Sequence, residues 1–260
     1  MLVYALFVAA LAVVMPFVVL VQAAFAKAWG RGFSLDNLTL GNFNFILFEH
    51  QGARSAIVNS VVYASISAAG AIALALAIAY IVKRNLLRGG GILAFLCMAP
   101  FVIPGVVLAI GFYAAYAAPP LALGGTALII ILAFLTRLLP IAYQNASAGI
   151  ASIHPEMEEA VRVLGGSRLT AIRKVVAPLL KRTPVGAWIL VLIPARHELS
   201  TAIFLTGPHT RVISVLMLDF SEEGRLEQLS ALGGVLLLIT VAIVAIGFRV
   251  VGRDFMLRRS

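Results

Sequence analysis

The sequence predicts an all-α integral membrane protein with six transmembrane helices. Of its 260 residues, 62% are hydrophobic and only 12% are charged, and the mean hydropathy is +1.03. A soluble domain is typically about half apolar and about a quarter charged, so this apolar surplus cannot be buried inside one soluble core. A bilayer core of about 30 Å requires about 20 apolar residues at a rise of about 1.5 Å each. We expect spans near 2–25, 55–82, 92–116, 126–148, 184–206 and 230–251.

The first span resembles a secretory signal peptide but differs from one in two ways. It has no basic leader, and its apolar run is longer than the roughly 7–15 residues of a signal-peptide core. We therefore expect a spanning helix at residues 2–25. The absence of charge before it also predicts that the chain is part of a longer protein.

Five prolines fall inside the predicted spans. Their presence does not exclude membrane-spanning helices. Membrane helices tolerate proline when neighbouring helices satisfy the carbonyl groups that it leaves without a partner. The five are Pro16, Pro100, Pro104, Pro140 and Pro194.

The distribution of Lys and Arg predicts the orientation. With the N-terminus inside, thirteen cations lie in cytoplasmic segments and five in outer segments, as the positive-inside rule requires. This bias explains the net charge of +9 without a nucleic-acid partner and places both termini and the 150–183 segment in the cytoplasm. The inner set is Lys83, Arg84, Arg88, Arg162, Arg168, Arg173, Lys174, Lys181, Arg182, Arg249, Arg253, Arg258 and Arg259; the outer set is Lys27, Arg31, Arg54, Arg211 and Arg225.

The chain is expected to form a single transmembrane domain over 1–260. The outer segments 26–54 and 207–229 mix polar and apolar residues, which favours loops with interfacial helices. The only cysteine is Cys97, so no disulfide framework is available. The histidines outside the spans, His50, His154 and His209, show no ligand spacing, and no metal site is expected.

The 150–183 segment is charged and predicts two short amphipathic helices. Pro155 suits a first helical position, and the acidic residues that follow complement the helix dipole. Gly165 and Gly166 end that helix, and Ser167 can cap the next one. Pro178 disturbs the last turn of the second helix. The apolar positions of the second helix recur every three or four residues, at Leu169, Ile172, Val176 and Leu179.

The order of these features resembles the EAA loop of ATP-binding-cassette (ABC) importer permeases. That loop reads Glu-Ala-Ala, three residues, Gly, nine residues and a segment ending in Pro. Here the series is Glu159-Ala160-Val161, Gly165 and Val175 to Pro178, with Gly166 as an extra glycine. The resemblance implies the type I (MetI-like) permease architecture and a coupling helix near 155–164. The implied coupling-loop residues are Glu158, Glu159, Ala160, Gly165, Gly166 and Pro178, with Glu159 holding a cation or a backbone donor.

The resemblance also implies partners. No G-x-x-x-x-G-K-[ST] phosphate loop occurs in the chain, so ATP would be bound by a separate ABC subunit and the chain itself would carry no cofactor and no enzymatic site. A second permease half, identical or different, an extracytoplasmic substrate-binding protein and membrane lipid complete the expected set. The implied location is the plasma membrane of a bacterium or archaeon, which is the inner membrane in a Gram-negative cell.

Four ionisable residues lie near the middle of predicted spans. Charge at this depth is costly and is a functional candidate by default. Arg137 is in the fourth span, and Arg196, His197 and Glu198 are in the fifth. Helical positions allow an Arg137–Glu198 ion pair, which would fix helix packing; alternatively, these residues line the translocation path or its gate.

Substrate information comes from residues 194–238, which resemble the closing segment of iron(III)-type permeases. The shared features are Arg196 with Glu198-Leu199-Ser200, a Gly-Pro turn at 207–208 and an Ala-Leu-Gly entry to the last span. Such permeases are commonly fusions of two halves, and this chain would be the second half. Polyamine, thiamine and phosphonate permeases share much of the pattern. A proton-coupled secondary transporter using Glu198 or His197, an intramembrane enzyme and a scaffold protein remain alternatives.

Overall fold

The computed structural model describes residues 1–181 and 183–251, and these residues are helical apart from loops and two isolated β-bridges. The predicted all-α class is therefore confirmed for the described part of the chain. Arg182, Arg253, Arg258 and Arg259, which the orientation count includes, lie outside the described residues.

The first of two compact units comprises residues 1–60 and 208–242. It contains the first two α-helices, a loop with short helical turns, the beginning of a long helix, and the helix of the 207–229 segment. The elements are α1 (Leu2–Ala9), a π-helical turn (Ala10–Val14), α2 (Met15–Ala24), 3-10 turns (Trp29–Arg31 and Leu35–Asn37), α3 (Gly41–Asn44), a π-helical turn (Phe45–Glu49), the start of α4 (Gln51–Lys83), and α13 (Ile213–Glu222) with the start of α14 (Leu226–Val251), whose labels follow chain order.

Polar side chains hold the loops of this first unit in place. The side-chain amide of Asn42 donates to the carbonyls of Ala24 and Ala26 at 3.0 and 2.8 Å. The hydroxyl of Ser60 accepts a hydrogen bond from the amide of Ile213 at 2.7 Å and thereby satisfies a donor in the first turn of α13. The unit thus has a hydrogen-bonded loop at residues 25–50 as well as apolar helices.

The second unit comprises residues 61–207 and, of the described residues beyond the first unit, 243–251. It holds most of the predicted spans and the charged insert. Its elements are the rest of α4, α5 (Gly90–Val102), α6 (Gly105–Tyr116), α7 (Ala127–Ala151), α8 (Pro155–Val163), α9 (Arg168–Ala171), a π-helical turn (Ile172–Val176), α10 (Ala177–Leu180), α11 (Thr183–Arg196), α12 (Ala202–Leu205) and the rest of α14.

A stripe of small residues lets α4 approach its neighbours in the second unit. Small residues at a helix interface allow close backbone contact in membrane proteins. Beside the stripe, Ser67 donates to the carbonyl of Ile131 on α7, and the indole of Trp188 on α11 donates to the carbonyl of Ser65. The stripe consists of Ala64, Ala68, Ala71, Ala75 and Ala79, each fully buried.

Two of the six predicted spans are broken. The segment predicted at 92–116 consists of α5 and α6, which are bent by 112° at Ile103–Pro104. Because a residue before proline avoids the α region, Ile103 is extended (φ −78°, ψ 125°) and the helix ends there. The segment predicted at 184–206 contains α11, which ends at Arg196, and α12, which begins at Ala202. Helical structure is thus interrupted within both predicted spans, each of which contains proline.

The number of spans consequently stays a prediction. Among the described residues, four helices are long and apolar enough to cross a membrane, and six result if each of two bent helix pairs counts as one span. The second bent pair includes the charged insert. The four are Leu6–Ala24, Gln51–Lys83, Ala127–Ala151 and Leu226–Gly247, and the pairs are Gly90–Val102 with Gly105–Tyr116 and Arg168–Leu180 with Thr183–Arg196.

Candidate coupling loop and translocation path

The charged insert begins with a helix at the predicted position. His154 is extended, Pro155 is the first helical residue, and α8 runs to Val163 with Glu156 and Glu158 in its first turn. The missing N–H of proline costs nothing at this position, and the acidic side chains complement the positive end of the helix dipole. The prediction of a helix near 155–164 is confirmed.

Two glycines end α8 with a left-handed cap. Gly165 has φ +83°, and its amide donates to the carbonyl of Arg162 at 3.0 Å. The amide of Gly166 reaches back to the carbonyl of Val161 at 2.9 Å. This pair of bonds satisfies carbonyls that a helix end would otherwise leave open, and it requires φ above zero, which glycine adopts without strain. The cap fixes the angle at which the chain leaves α8.

The second helical segment of the loop starts at the predicted cap and contains a π-helical turn. The Ser167 hydroxyl accepts from the amide of Thr170 at 3.2 Å. The π-helical turn at Ile172–Val176 directly precedes Pro178, which lacks the N–H needed for a regular α-helical bond. Pro178 therefore alters this helix, as predicted.

Glu158 is the buried acidic residue of the loop, with 7% of its surface exposed. Its carboxylate accepts a hydrogen bond from the Tyr80 hydroxyl at 2.7 Å and forms an ion pair with the Arg84 guanidinium at 2.7 Å. Arg84 also donates to the carbonyl of Ile153 at 3.0 Å. These contacts join α8 to the C-terminal end of α4.

Within this chain Glu158 holds a cation, the guanidinium of Arg84. The expected role of Glu159, holding a cation or a backbone donor on the loop or on an ATPase subunit, stays a prediction. Glu159 and Ala160 are exposed on α8. Arg84 and Tyr80 were missed as site residues because Arg84 was counted only as a topological charge. The available signal was the helical position of Arg84, four residues after Tyr80, which puts both side chains on one face of α4.

An apolar edge of the loop is exposed. Val163 is 86% exposed and Leu164 is 88% exposed at the end of α8, and Leu169 is 64% exposed in the next helix. The opposite side of the loop packs on the unit's core through Val176 and Leu180, and Ala171 is buried as well. One side of the loop is thus packed on the protein, and the other side exposes leucine and valine side chains.

The intramembrane candidate Arg137 holds the end of a broken helix. Its guanidinium donates from Nη1 to the carbonyls of Pro100 and Ile103, each at 2.8 Å. These carbonyls belong to the last turn of α5 and to the break after it, where regular helical partners are lacking. Arg137 thereby satisfies the carbonyls at the break, a role that the sequence analysis did not foresee.

The three adjacent candidates of the predicted fifth span lie in different surroundings. Arg196 is buried, with 1% of its surface exposed, while His197 is exposed. The Glu198 carboxylate is half-buried and accepts hydrogen bonds from the amide and the hydroxyl of Thr201 at 3.1 and 3.0 Å. Glu198 therefore caps the turn that leads into α12. Its predicted ion pair with Arg137 stays a prediction.

The two helix breaks meet at Gly105. A β-carbon on Gly105 would lie 2.7 Å from the β-carbon of Ser200, and 3.3 Å from both the Glu198 carboxylate and the Thr201 hydroxyl. Such proximity is possible only without a side chain. The backbone at the start of α6 thus contacts side chains of the 197–201 segment. Arg137 binds carbonyls at the break between α5 and α6. In the described residues, no cluster of three or more His, Cys, Asp or Glu side chains is arranged to hold a metal ion.

The sequence and the fold of this chain are similar to those of known proteins. The family described as "Binding-protein-dependent transport system inner membrane component" matches residues 71–253. A ferric transport system permease protein of Actinobacillus pleuropneumoniae is 32% identical over 223 residues, which are 85% of this chain and 32% of that protein. The chain therefore spans about a third of the length of this relative.

Two further similarities cover nearly the whole chain. A spermidine/putrescine transport system permease protein of Haemophilus influenzae is 23% identical over 236 residues, which are 89% of this chain and 88% of that protein. In the crystal structure of a bacterial alginate ABC transporter in complex with an alginate pentasaccharide-bound periplasmic protein, one chain matches with a TM-score of 0.69 and 20% identity. That match covers 95% of this chain and 93% of the other, and it shows a shared fold.

Proposed function

Because the chain belongs to the binding-protein-dependent transport system inner membrane component family, we propose that it is the permease subunit of an ABC importer. It would cross the inner membrane several times, form part of the substrate path and act with a separate ATPase. The observation that carries this proposal is α8, a capped helix with an exposed apolar edge that is joined by a buried ion pair to α4.

The coupling role of α8 follows from its two sides. Its exposed edge at Val163 and Leu164 suits insertion into a cleft of an ATPase subunit, since burying such side chains is the main favourable term in protein association. Its buried side is tied to α4 through Glu158. A displacement of α8 by ATP-driven closure would therefore be passed to α4. Glu159, Ala160 and the Gly165-Gly166 cap would position the docking face, and Pro178 would shape the helix behind it.

The translocation path is proposed to involve the two helix breaks. A helix that is interrupted within the membrane can change direction at the break at low cost, and irregular backbone at that depth usually borders a cavity or is buried in protein. The breaks at Ile103–Pro104 and at residues 197–201 meet at Gly105. Arg137 and Glu198 would keep the breaks in register. His197, which is exposed, would be the side chain most available to the path, with Arg196 buried behind it.

Iron(III) is the substrate that we propose. The support is the 32% identity to the ferric transport permease, compared with 23% to the spermidine/putrescine permease. The binding protein that delivers the substrate would dock on the outer segments 26–54 and 207–229, with both termini and the 150–183 segment inside. A polyamine remains the second candidate because that relative matches over 88% of its own length.

Capture of the ATPase subunit tests the coupling role. A tagged permease expressed with its partner subunits should retain the ATPase, and Leu164→Glu should reduce the amount retained at least about tenfold, because burial of a leucine contributes about 1.5–3 kcal/mol. Leu87→Glu is the matched control, since Leu87 is 57% exposed in the turn after α4. Equal loss in both variants would contradict docking through α8.

Uptake measurements test the transport mode and the substrate. Vesicles would hold the complete transporter in their membrane, ATP inside, and the binding protein in the external medium. Radioactive iron(III) should accumulate in these vesicles, and accumulation should persist when the proton gradient is collapsed. Uptake that stops with the gradient would indicate the secondary-transporter alternative. Accumulation of spermidine but not of iron(III) would reassign the substrate and leave the permease role intact.

A further inference from the structure

A polar cavity of about 220 Å³ lies between the C-terminal end of α4 and the coupling loop. Its walls come from the last turn of α4, the turn that follows, α8 and the start of α9. Four cationic side chains line it, together with two carboxylates. The cations are Lys83, Arg84, Arg162 and Arg168, and the carboxylates belong to Glu158 and Glu159.

The charges of this cavity do not cancel. Glu158 neutralises Arg84 at 2.7 Å, and both side chains are nearly buried. Three cations, Lys83, Arg162 and Arg168, then face one carboxylate, that of Glu159, which leaves a net charge of +2. Within residues 1–181 and 183–251, no ion pair includes these three cations or the Glu159 carboxylate. The surplus positive charge is therefore available to an anion.

We propose that this cavity, which we call the cationic pocket, binds a phosphate group, either that of an anionic phospholipid headgroup or that of free phosphate. Arginine and lysine side chains are the usual protein partners of phosphate, and arginine matches its geometry with two parallel donors. The three cations come from three elements, so one phosphate would contact α4, α8 and α9 together.

The position of the pocket favours the lipid as the source. Lys83 is the last residue of α4, which is long and apolar enough to cross the membrane. On the orientation given under the proposed function, this end is at headgroup depth in the inner leaflet, where anionic lipids are enriched and basic pockets beside helices bind their headgroups. Only the side of the membrane rests on the proposed function; the charge and the shape of the pocket do not.

Two features fix the walls of the pocket. On one side, the Arg84–Glu158 pair and the Tyr80 hydroxyl hold the end of α4 against α8. On the other side, Ala171 is fully buried and anchors α9 beneath the pocket. The cations are thus attached to elements with defined positions. A bound phosphate would add a second connection between α4 and the coupling loop beside the Arg84–Glu158 pair.

Lipid binding to the purified full-length chain tests the proposal without any ATPase or transport. Native mass spectrometry in a neutral detergent would follow titration with phosphatidylglycerol, with phosphatidylcholine and with inorganic phosphate. The double variant Lys83→Gln/Arg168→Gln should bind phosphatidylglycerol about 30-fold more weakly, from the typical contribution of a basic residue near anionic lipid. The control Arg88→Gln/Arg173→Gln removes two exposed arginines that do not line the pocket and should bind as the unmodified chain does.

The outcomes separate the two phosphate sources. Displacement of phosphatidylglycerol by millimolar phosphate, or binding of phosphate alone with loss in the double variant, supports the site and assigns it to free phosphate. Retention of phosphatidylglycerol against phosphate assigns it to the lipid. A single variant, Arg162→Gln, should weaken binding about fivefold and serves if the double variant fails to fold. Equal loss in the control, equal affinity for phosphatidylcholine, or no binding of either anion would overturn the proposal and leave the permease assignment standing.

Discussion

The Glu158 carboxylate and the Arg84 guanidinium lie 2.7 Å apart and join the coupling loop to the C-terminal end of α4. Their side chains are only 9% and 11% exposed. A buried ion pair seldom stabilises a protein more than apolar residues would, but the loss of one partner leaves an uncompensated buried charge. The pair therefore specifies how α8 is attached, and both partners must be present for it to do so.

We expect Glu158→Ala to lower the free energy of unfolding by about 3–5 kcal/mol, because Arg84 would remain buried without its carboxylate. Denaturant titration of the purified chain in detergent measures this loss. ATP-dependent uptake by the assembled transporter should fall as well, since α8 would no longer be fixed to α4.

The neighbouring Glu159→Ala is the matched control for stability. Glu159 is exposed, and substitutions at such positions usually change stability by less than about 0.5 kcal/mol. The double variant Arg84→Leu/Glu158→Leu should recover most of the stability, because it removes both charges. Equal destabilisation by Glu158→Ala and Glu159→Ala would refute the assignment of the buried pair.

The glycines that end α8 should respond differently to alanine. A β-carbon on Gly165 meets nothing within 4 Å. Gly165→Ala should therefore lower the free energy of unfolding by about 1 kcal/mol, because alanine is strained at the positive φ of this position. A β-carbon on Gly166 would lie 2.8 Å from the carbonyl oxygen of Val161, which is backbone that cannot move without breaking the cap. Gly166→Ala should therefore be the more damaging change in thermal unfolding. The reverse order would show that φ, and not the close approach, governs this cap.

The sequence predicted the helix ends of the 150–183 segment well because their signals are local. Proline at the first position, a glycine pair at the end and a serine cap each act within a few residues, and all three lie where they were expected. The apolar repeat was less informative. Leu169 and Leu179 belong to it but are exposed, whereas the buried residues are Ala171, Val176 and Leu180. Periodicity identified a helix but not the face that packs.

The breaks within the predicted spans depend on information that is not local. Proline alone does not predict where a helix breaks, because the residues before Pro100 and Pro140 are helical whereas the residue before Pro104 is extended. The replacement hydrogen bonds come from Arg137 on α7, 34 residues beyond Ile103. In the same way, Glu158 and Arg84 are 74 residues apart, and only the packing of α4 on the loop brings them together. Composition finds such residues as candidates, and tertiary contacts decide their partners.

Arg137→Met tests the role of the guanidinium at the first break. The carbonyls of Pro100 and Ile103 would each lose a charged donor, and we expect a loss of about 3 kcal/mol in the free energy of unfolding, since bonds to charged groups contribute about 1.5–3 kcal/mol each. Gln144→Met on the same helix is the control, because Gln144 is exposed and makes only a long contact of 3.9 Å to the Met98 sulfur. Similar unfolding of both variants would mean that Arg137 does not hold the break.

Gly105→Ala tests the contact between the two helix breaks. The added methyl group would overlap the β-carbon of Ser200, which lies 2.7 Å from its position, and overpacking of this kind typically costs about 1–3 kcal/mol. We expect lower thermal stability and slower substrate uptake, with recovery in Gly105→Ala/Ser200→Gly, which removes the overlapping atom. Gly111→Ala on the same helix meets nothing within 4 Å and should be neutral or slightly stabilising, because alanine is the better helix former. Failure of Ser200→Gly to rescue the variant, or an equal defect in Gly111→Ala, would show that the breaks do not depend on this close approach.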